Sequence, residues 1–321
     1  MAGGKRPLIP RQLGQLLGLG CLIMMTACAS GGGGGTISRT PPAVYRVYDV
    51  AAGRFISVAQ LSENVRGADV VLFGEIHDDL VAHRIQLELL QRLANDNRER
   101  ALGMEMFERD VQGVVDGYTL RRISEEEFLA ASRPWSNYAT GYRPLVDAAR
   151  SGRWSIEATN TPQTIASSIA RYGLPALGSL SLDERRQVAA DLQCPRDDYW
   201  SRFQEAMHGA SDSPDAVALT PADTMFLARA YEAQCARDET MAEAIVALVP
   251  AVQVLHINGS FHSDFGLGIV PRIHRRAPGT TVVTISAFPV DDLADPPLDE
   301  DLDRADFIIF TTEDILGALG S

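Results

Sequence analysis

"ADVVLFGEIHDD" (residues 68–79) decides the fold. It runs from an unbroken apolar, β-branched stretch straight into glycine, glutamate, histidine and two aspartates. A run this short and this apolar, bounded by Gly67 and Gly74, reads as a strand buried on both faces. The segment after it, Leu80–Asp96, places Ile85, Leu89, Leu90 and Leu93 on one helical face. "ALGMEMF" (101–107) is a second buried strand, and "DVQGVVDGYTL" (110–120) opens another helix. Strand, helix, strand, helix is the order of a parallel α/β sheet.

Working outward, "PAVYRVYD" (42–49) and "RFISVAQL" (54–61) read as a hairpin of two strands. "WSIEATNTP" (154–162), "VQVLHING" (252–259), "TTVVTISAF" (280–288) and "DFIIFTT" (306–312) supply further strands. About 121–150 and about 181–250 are helical in pattern. Ser124 and Glu127 form a capping-box pair there, and Thr220 with Pro221 opens one long helix to 248. The expected fold class is therefore α/β: a mostly parallel sheet flanked by helices, with an inserted α-helical subdomain at about 121–150 and 181–250.

The chain has 321 residues, 45% of them hydrophobic, enough for one large domain spanning 41–321. A formal net charge of −13 argues against nucleic acid as a partner, because phosphate contacts need clustered Lys and Arg. Residues 1–27 have the form of a lipoprotein signal peptide: Lys5, Arg6 and Arg11, an apolar stretch from Leu13 to Met25, then "MTAC" ending at Cys28. Cys28 is the expected lipidation site and membrane anchor, and the Gly-rich segment within 28–40 the tether. No aspartate follows Cys28, so the expected location is the outer membrane of a bacterial envelope, facing the periplasm. Cys194 and Cys235 remain, as a disulfide or as two buried thiols.

In open parallel sheets, ligands bind beyond the carboxyl ends of the strands. Polar groups gather at those ends: Glu75 and His77, then Glu105 and Glu108, then Asn160, then His262. Gly74 and Gly259 each precede a histidine by three positions. Imidazoles with carboxylates can bind a divalent metal such as zinc or manganese, or do acid–base work. The candidate catalytic set is Glu75, His77, Glu105 and His262, and the candidate metal ligands are His77, His262 and Glu105.

"GEIH" (74–77), "GSFH" (259–262) and "GMEMFERDVQ" (103–112) together resemble the ChaN family of haem-binding bacterial lipoproteins, within the Tiki-like superfamily. Erythromycin-esterase-like enzymes have a similar Gly-Glu…His start. The likeness extends to "HDDLVAH", "YRPLVDAAR", "EATNTP" and "QCARDETMA". It implies a haem-binding protein of iron uptake, with haem iron held by a tyrosine and a histidine on the propionates across a homodimer. Tyr142 matches the family's Tyr-x-Pro pattern, with Tyr138 second. His83 and Arg237 are the candidates for the propionates. Trp135 is a candidate to stack on the porphyrin. The superfamily's other implication is a metal-dependent hydrolase on the paired GxxH motifs.

Overall fold

The structure is a computed structural model that describes residues 44–96, 98–208, 220–249, 251–298 and 302–312. The signal peptide, Cys28 and the tether lie outside the described residues. In chain order the elements are β1 (Tyr45–Asp49), β2 (Arg54–Ile56), α1 (Val58–Val65), β3 (Val70–Glu75), α2 (Leu80–Leu93), β4 (Arg100–Glu108), α3 (Gln112–Thr119) and α4 (Glu125–Ser132). Then come α5 (Arg143–Ser151), β5 (Ser155–Asn160), α6 (Gln163–Tyr172), α7 (Leu182–Arg185), α8 (Asp198–His208) and α9 (Pro221–Leu248). The chain closes with β6 (Gln253–Gly259), α10 (Ile269–Arg276), β7 (Val282–Pro289) and β8 (Phe307–Thr311).

The strands form one sheet in the order β2-β1-β8-β7-β3-β6-β4-β5. From β8 to β5 every pairing is parallel; β1 joins β8 and β2 antiparallel. The expected α/β architecture is the one observed. β6, which comes late in the chain, inserts between β3 and β4. Glu75 is thereby paired with Gly259 in register, so the two glycine–histidine motifs leave adjacent strand ends. β4 carries a register irregularity between Met104 and Glu108. Bulges of this kind re-aim side chains near sites, and Glu105 lies within it.

Alternation along the central strands divides the core. Val71, Phe73, Leu102, Met104, Leu255 and Ile257 face α2 and α5. Val70, Leu72 and Val254 face α9 and α10 through Met241, Ile245 and Ile273. Burial on both faces is why these strands read as continuous apolar runs.

Two expectations change. "RFISVAQL" is a strand only as far as Ile56. Ser57 then caps α1 in a box with Gln60, and Val58, Leu61 and Val65 follow helical rather than alternating spacing. The helical stretch 121–150 is no separate subdomain, because Phe128, Tyr138, Tyr142 and Leu145 belong to the main core beside β4. The stretch 181–250 does build satellite cores of its own, one around Ile169, Val188 and Ala236 and one around Phe203, Tyr231 and Cys235. A Cys194–Cys235 disulfide closes the second. The long helix starts as read, with Thr220 accepting from the Asp223 amide and Pro221 in the first turn. Among the described residues, no helix is long and apolar enough to cross a membrane.

Candidate functional site

Glu75 ends β3 fully buried, and four side chains surround its carboxylate. Oε1 accepts from the Tyr142 hydroxyl at 2.5 Å and lies 3.1 Å from His77 Nδ1. Oε2 accepts from Gln86 Nε2 at 2.6 Å. His83 Nε2 approaches Oε2 to 3.2 Å, yet neither His83 nitrogen has a well-aligned hydrogen bond among the described residues. Burial pushes the Glu75 carboxyl up, but the hydrogen bonds with His77 and Tyr142 and the close approach of His83 outweigh it and the group stays ionised.

A π-helical turn, Tyr138–Tyr142, sets this arrangement. Such turns interrupt helices where a side chain has to be re-aimed. Here it drives Tyr142 inward to Glu75 and puts Gly141 against His83, where a Cβ would fall 2.5 Å from Cε1. Trp135 meets the His77 ring edge-on at 4.8 Å, and Asn137 Nδ2 donates to the His77 carbonyl at 2.8 Å.

One strand over, the Gly259 amide donates to Glu105 Oε2 at 2.7 Å. Glu105 Oε1 lies 3.3 Å from His262 Nε2, and His262 Nδ1 lies 2.6 Å from Asp238 Oδ1. Burial pushes the His262 imidazole down, but Glu105 and Asp238 raise it to about 10. It is a cation at neutral pH, with a carboxylate on each nitrogen. Burial also works against the Glu105 anion, yet His262, His77 and the Gly259 amide hold its carboxyl well below the usual range. The Tyr199 hydroxyl donates to Asp238 Oδ2 at 2.8 Å.

The two halves meet over Gly259. A Cβ there would sit 2.9 Å from His77 Cε1, 3.0 Å from its Nε2 and 3.7 Å from Glu105 Oε2. Only glycine leaves the His77 ring this seat. Next to them Asn160 donates to the Glu105 carbonyl and accepts from Arg237, whose other nitrogen reaches Gln163. Glu75, His77, Glu105 and His262 are therefore gathered at one rim, with Arg237 beside them at the β5 end.

Several expectations are corrected. Tyr142 is 0% exposed with its hydroxyl committed to Glu75; burial and that carboxylate push its phenol far up, so neither access nor charge suits an iron ligand. Tyr138 is buried against Phe107 and Phe128, and burial likewise raises it. Among the described residues the exposed tyrosine is Tyr172, which ends α6, roughly 15 Å of helix away from the rim. His83 is sealed under Tyr142 and Gly141 and cannot reach a surface carboxylate. His77, His262 and Glu105 do not make a metal centre: His262 is spent on two carboxylates, and among the described residues no three His, Cys, Asp or Glu side chains are placed to hold a metal. Sequence reading missed Gln86 and Tyr199, and it missed the pairing of Asp238 with His262. The available signal was "RDE" (237–239), three charged residues in the middle of an otherwise Ala-rich helix.

The family model for haem-binding uptake proteins, Tiki superfamily, ChaN, matches residues 61–273 and so spans both glycine–histidine motifs. The chain belongs to the ChaN family. Among solved structures, "Cofacial heme binding to ChaN of Campylobacter jejuni" is similar at 17% identity, covering 84% of this chain and 97% of that one, with a TM-score of 0.62. At that identity the likeness is one of fold, and it agrees with the ChaN assignment. The structure of the type III effector HopBA1 matches more loosely, at 11% identity over 79% of this chain and 93% of that one, with a TM-score of 0.44. No curated protein sequence matches.

His77, read from the sequence as a catalytic and metal-binding candidate, is the most accessible imidazole of the rim. Its side chain is 40% exposed. Glu75 fixes Nδ1, which leaves the lone pair on Nε2, and glycine at 259 leaves that nitrogen uncovered by a side chain.

Proposed function

We propose that this ChaN-family chain binds haem at the carboxyl-end rim of its sheet and serves haem uptake. His77 supplies the iron ligand, oriented by Glu75. The observation that carries this reading is the exposure of His77 amid apolar surface: Ile76 is 46% exposed, Leu80 37%, and Trp135 is half-buried against the imidazole. A flat apolar disc needs such walls and one donor. Arg237, beyond the end of β5, is the cation for a propionate, once it leaves Asn160 and Gln163.

Cleavage before Cys28, lipidation there and an outer-membrane location belong to the same reading, as does a homodimer closing over haem. They are supported by the form of residues 1–40 and by the ligand's size. The test is titration of hemin into the purified protein, read in the Soret band. A saturable shift is expected in the wild type and its loss in His77→Ala. Equal binding by His77→Ala would overturn the assignment of the ligand, and no shift in the wild type would overturn haem binding.

A further inference from the structure

Behind His262 the chain builds a second cleft, between α8 and the connection from β6 to α10. Its volume is about 270 Å³, and its lining includes Tyr199, Arg202, Phe261, Asp264, Phe265 and Arg304. Tyr199 and Phe261 make an aromatic wall, their ring centroids 5.3 Å apart. Phe265 stands in the left-handed region at φ 61°, which a bulky aromatic residue rarely adopts. Its amide donates to the Arg304 carbonyl, which helps hold it there. The result is a ring with the Arg202 guanidinium 3.0 Å from its centroid and that of Arg304 at 5.2 Å. Backbone strain of this kind concentrates at ligand clamps.

The charges in the cleft are not evenly matched. Arg304 donates to Asp264 Oδ2 at 2.9 Å, so these two offset each other. Asp264 is 7% exposed, and its Oδ1 has no hydrogen bond of good geometry among the described residues. Arg202 makes no hydrogen bond among the described residues; its guanidinium lies on the Phe265 face and its charge also acts on the Asp264 carboxyl. Glu205, the other acid of the lining, is on the exposed outer edge. The inner cleft therefore presents one planar cation with its donors unspent, an aromatic wall and a buried carboxyl. Burial pushes that carboxyl up to about 6 against the pull of Ser286, Arg304 and Arg202.

We propose that this cleft is a binding site for a small aromatic carboxylate. Arg202 takes the carboxylate as a fork, and the ring lies on Tyr199 and Phe261. Tyr199 also bonds Asp238, so an occupant would rest one residue from the Asp238–His262 pair. The site is separate from the His77 rim and does not depend on haem binding.

Benzoate is the probe, titrated into the purified protein by calorimetry and ligand-observed NMR, with benzylamine as the counter-probe. Saturable benzoate binding at about 1 mM or tighter is expected, as suits so small a ligand. Arg202→Gln should weaken it at least tenfold, and Glu205→Gln should leave it equal or tighter. Both positions lie on the outer helix, and circular dichroism will verify that each variant is folded. Failure of benzoate to saturate would overturn the proposal. So would unchanged binding in folded Arg202→Gln, or a preference for benzylamine.

Discussion

The Tyr142 hydroxyl donates to Glu75 Oε1 at 2.5 Å, and both residues are closed off from solvent. The tyrosine that family resemblance marks for iron is, in this chain, a brace for the carboxylate that orients His77. Tyr142→Phe should therefore cost about 1.5–3 kcal/mol of stability, the range for a hydrogen bond to a charged group. The hemin Soret shift should persist. Urea unfolding and the hemin titration measure the two effects; a lost Soret shift in a folded variant would return the ligand role to Tyr142.

Gly259→Ala tests the seat of the His77 ring. The new methyl would land 2.9 Å from Cε1 and 3.0 Å from Nε2, so the imidazole must swing away. Because that ring is partly exposed, it can move without breaking the core. Hemin affinity should fall about tenfold or more, while the thermal midpoint shifts by only a few degrees. Wild-type affinity in this variant would show that the ring's position is irrelevant.

His262→Ala should be far more damaging to the fold than His77→Ala. It leaves Glu105 and Asp238 buried without the cation between them. Removing one member of a buried ion pair typically costs about 3–5 kcal/mol. Chemical denaturation of the two variants side by side would reveal equal losses if the cluster is not a charged one.

Stability should depend on pH in a direction set by the same cluster. His262 is raised from 6.5 to about 10, so its contribution is complete below pH 6.5 and drains away as pH climbs through about 10. Glu105 is depressed from 4.5, so its contribution is present above that value and is lost on acidification. The thermal midpoint should fall on both sides, and the alkaline fall should flatten in His262→Asn. Haem affinity should follow His77 instead. Burial lowers that imidazole, but Glu75 and Glu105 raise it above 6.5 overall, so affinity should drop as acidification protonates the ring. A flat affinity from pH 8 to 5.5 would contradict ligation by His77.

Mass spectrometry of the membrane fraction addresses the anchor. The mature N-terminus should be a lipid-modified Cys28, and Cys28→Ser should release the protein from membranes. An intact residue 1 in the wild type would refute the signal reading.

Much of the fold was legible because its central strands are buried on both faces. "VVLF" and "VQVLHI" carry that condition openly as apolar runs. What sequence alone could not convey was adjacency. Whether β6 lies beside β3 depends on contacts between residues nearly two hundred positions apart, and no local pattern encodes them. The fate of Tyr142 was hidden for a related reason. Its motif matches, but the π-turn that points it inward packs Gly141 against His83, on a helix laid down much earlier in the chain. Asp238 was visible as a charge inside a helix, yet its partner sits on a strand end formed later.

Cys235 lies one helical turn before Asp238, and its bond to Cys194 fastens to α9 the chain segment that leads into Tyr199. The covalent latch closes only where thiols oxidise. A copy held in reducing surroundings would keep its sheet but lose the bolt behind His262, and on the chain-entropy estimate would forfeit about 4 kcal/mol with it. Maturation of the inner acid–imidazole chain is in this sense tied to the redox condition of the compartment where the polypeptide folds.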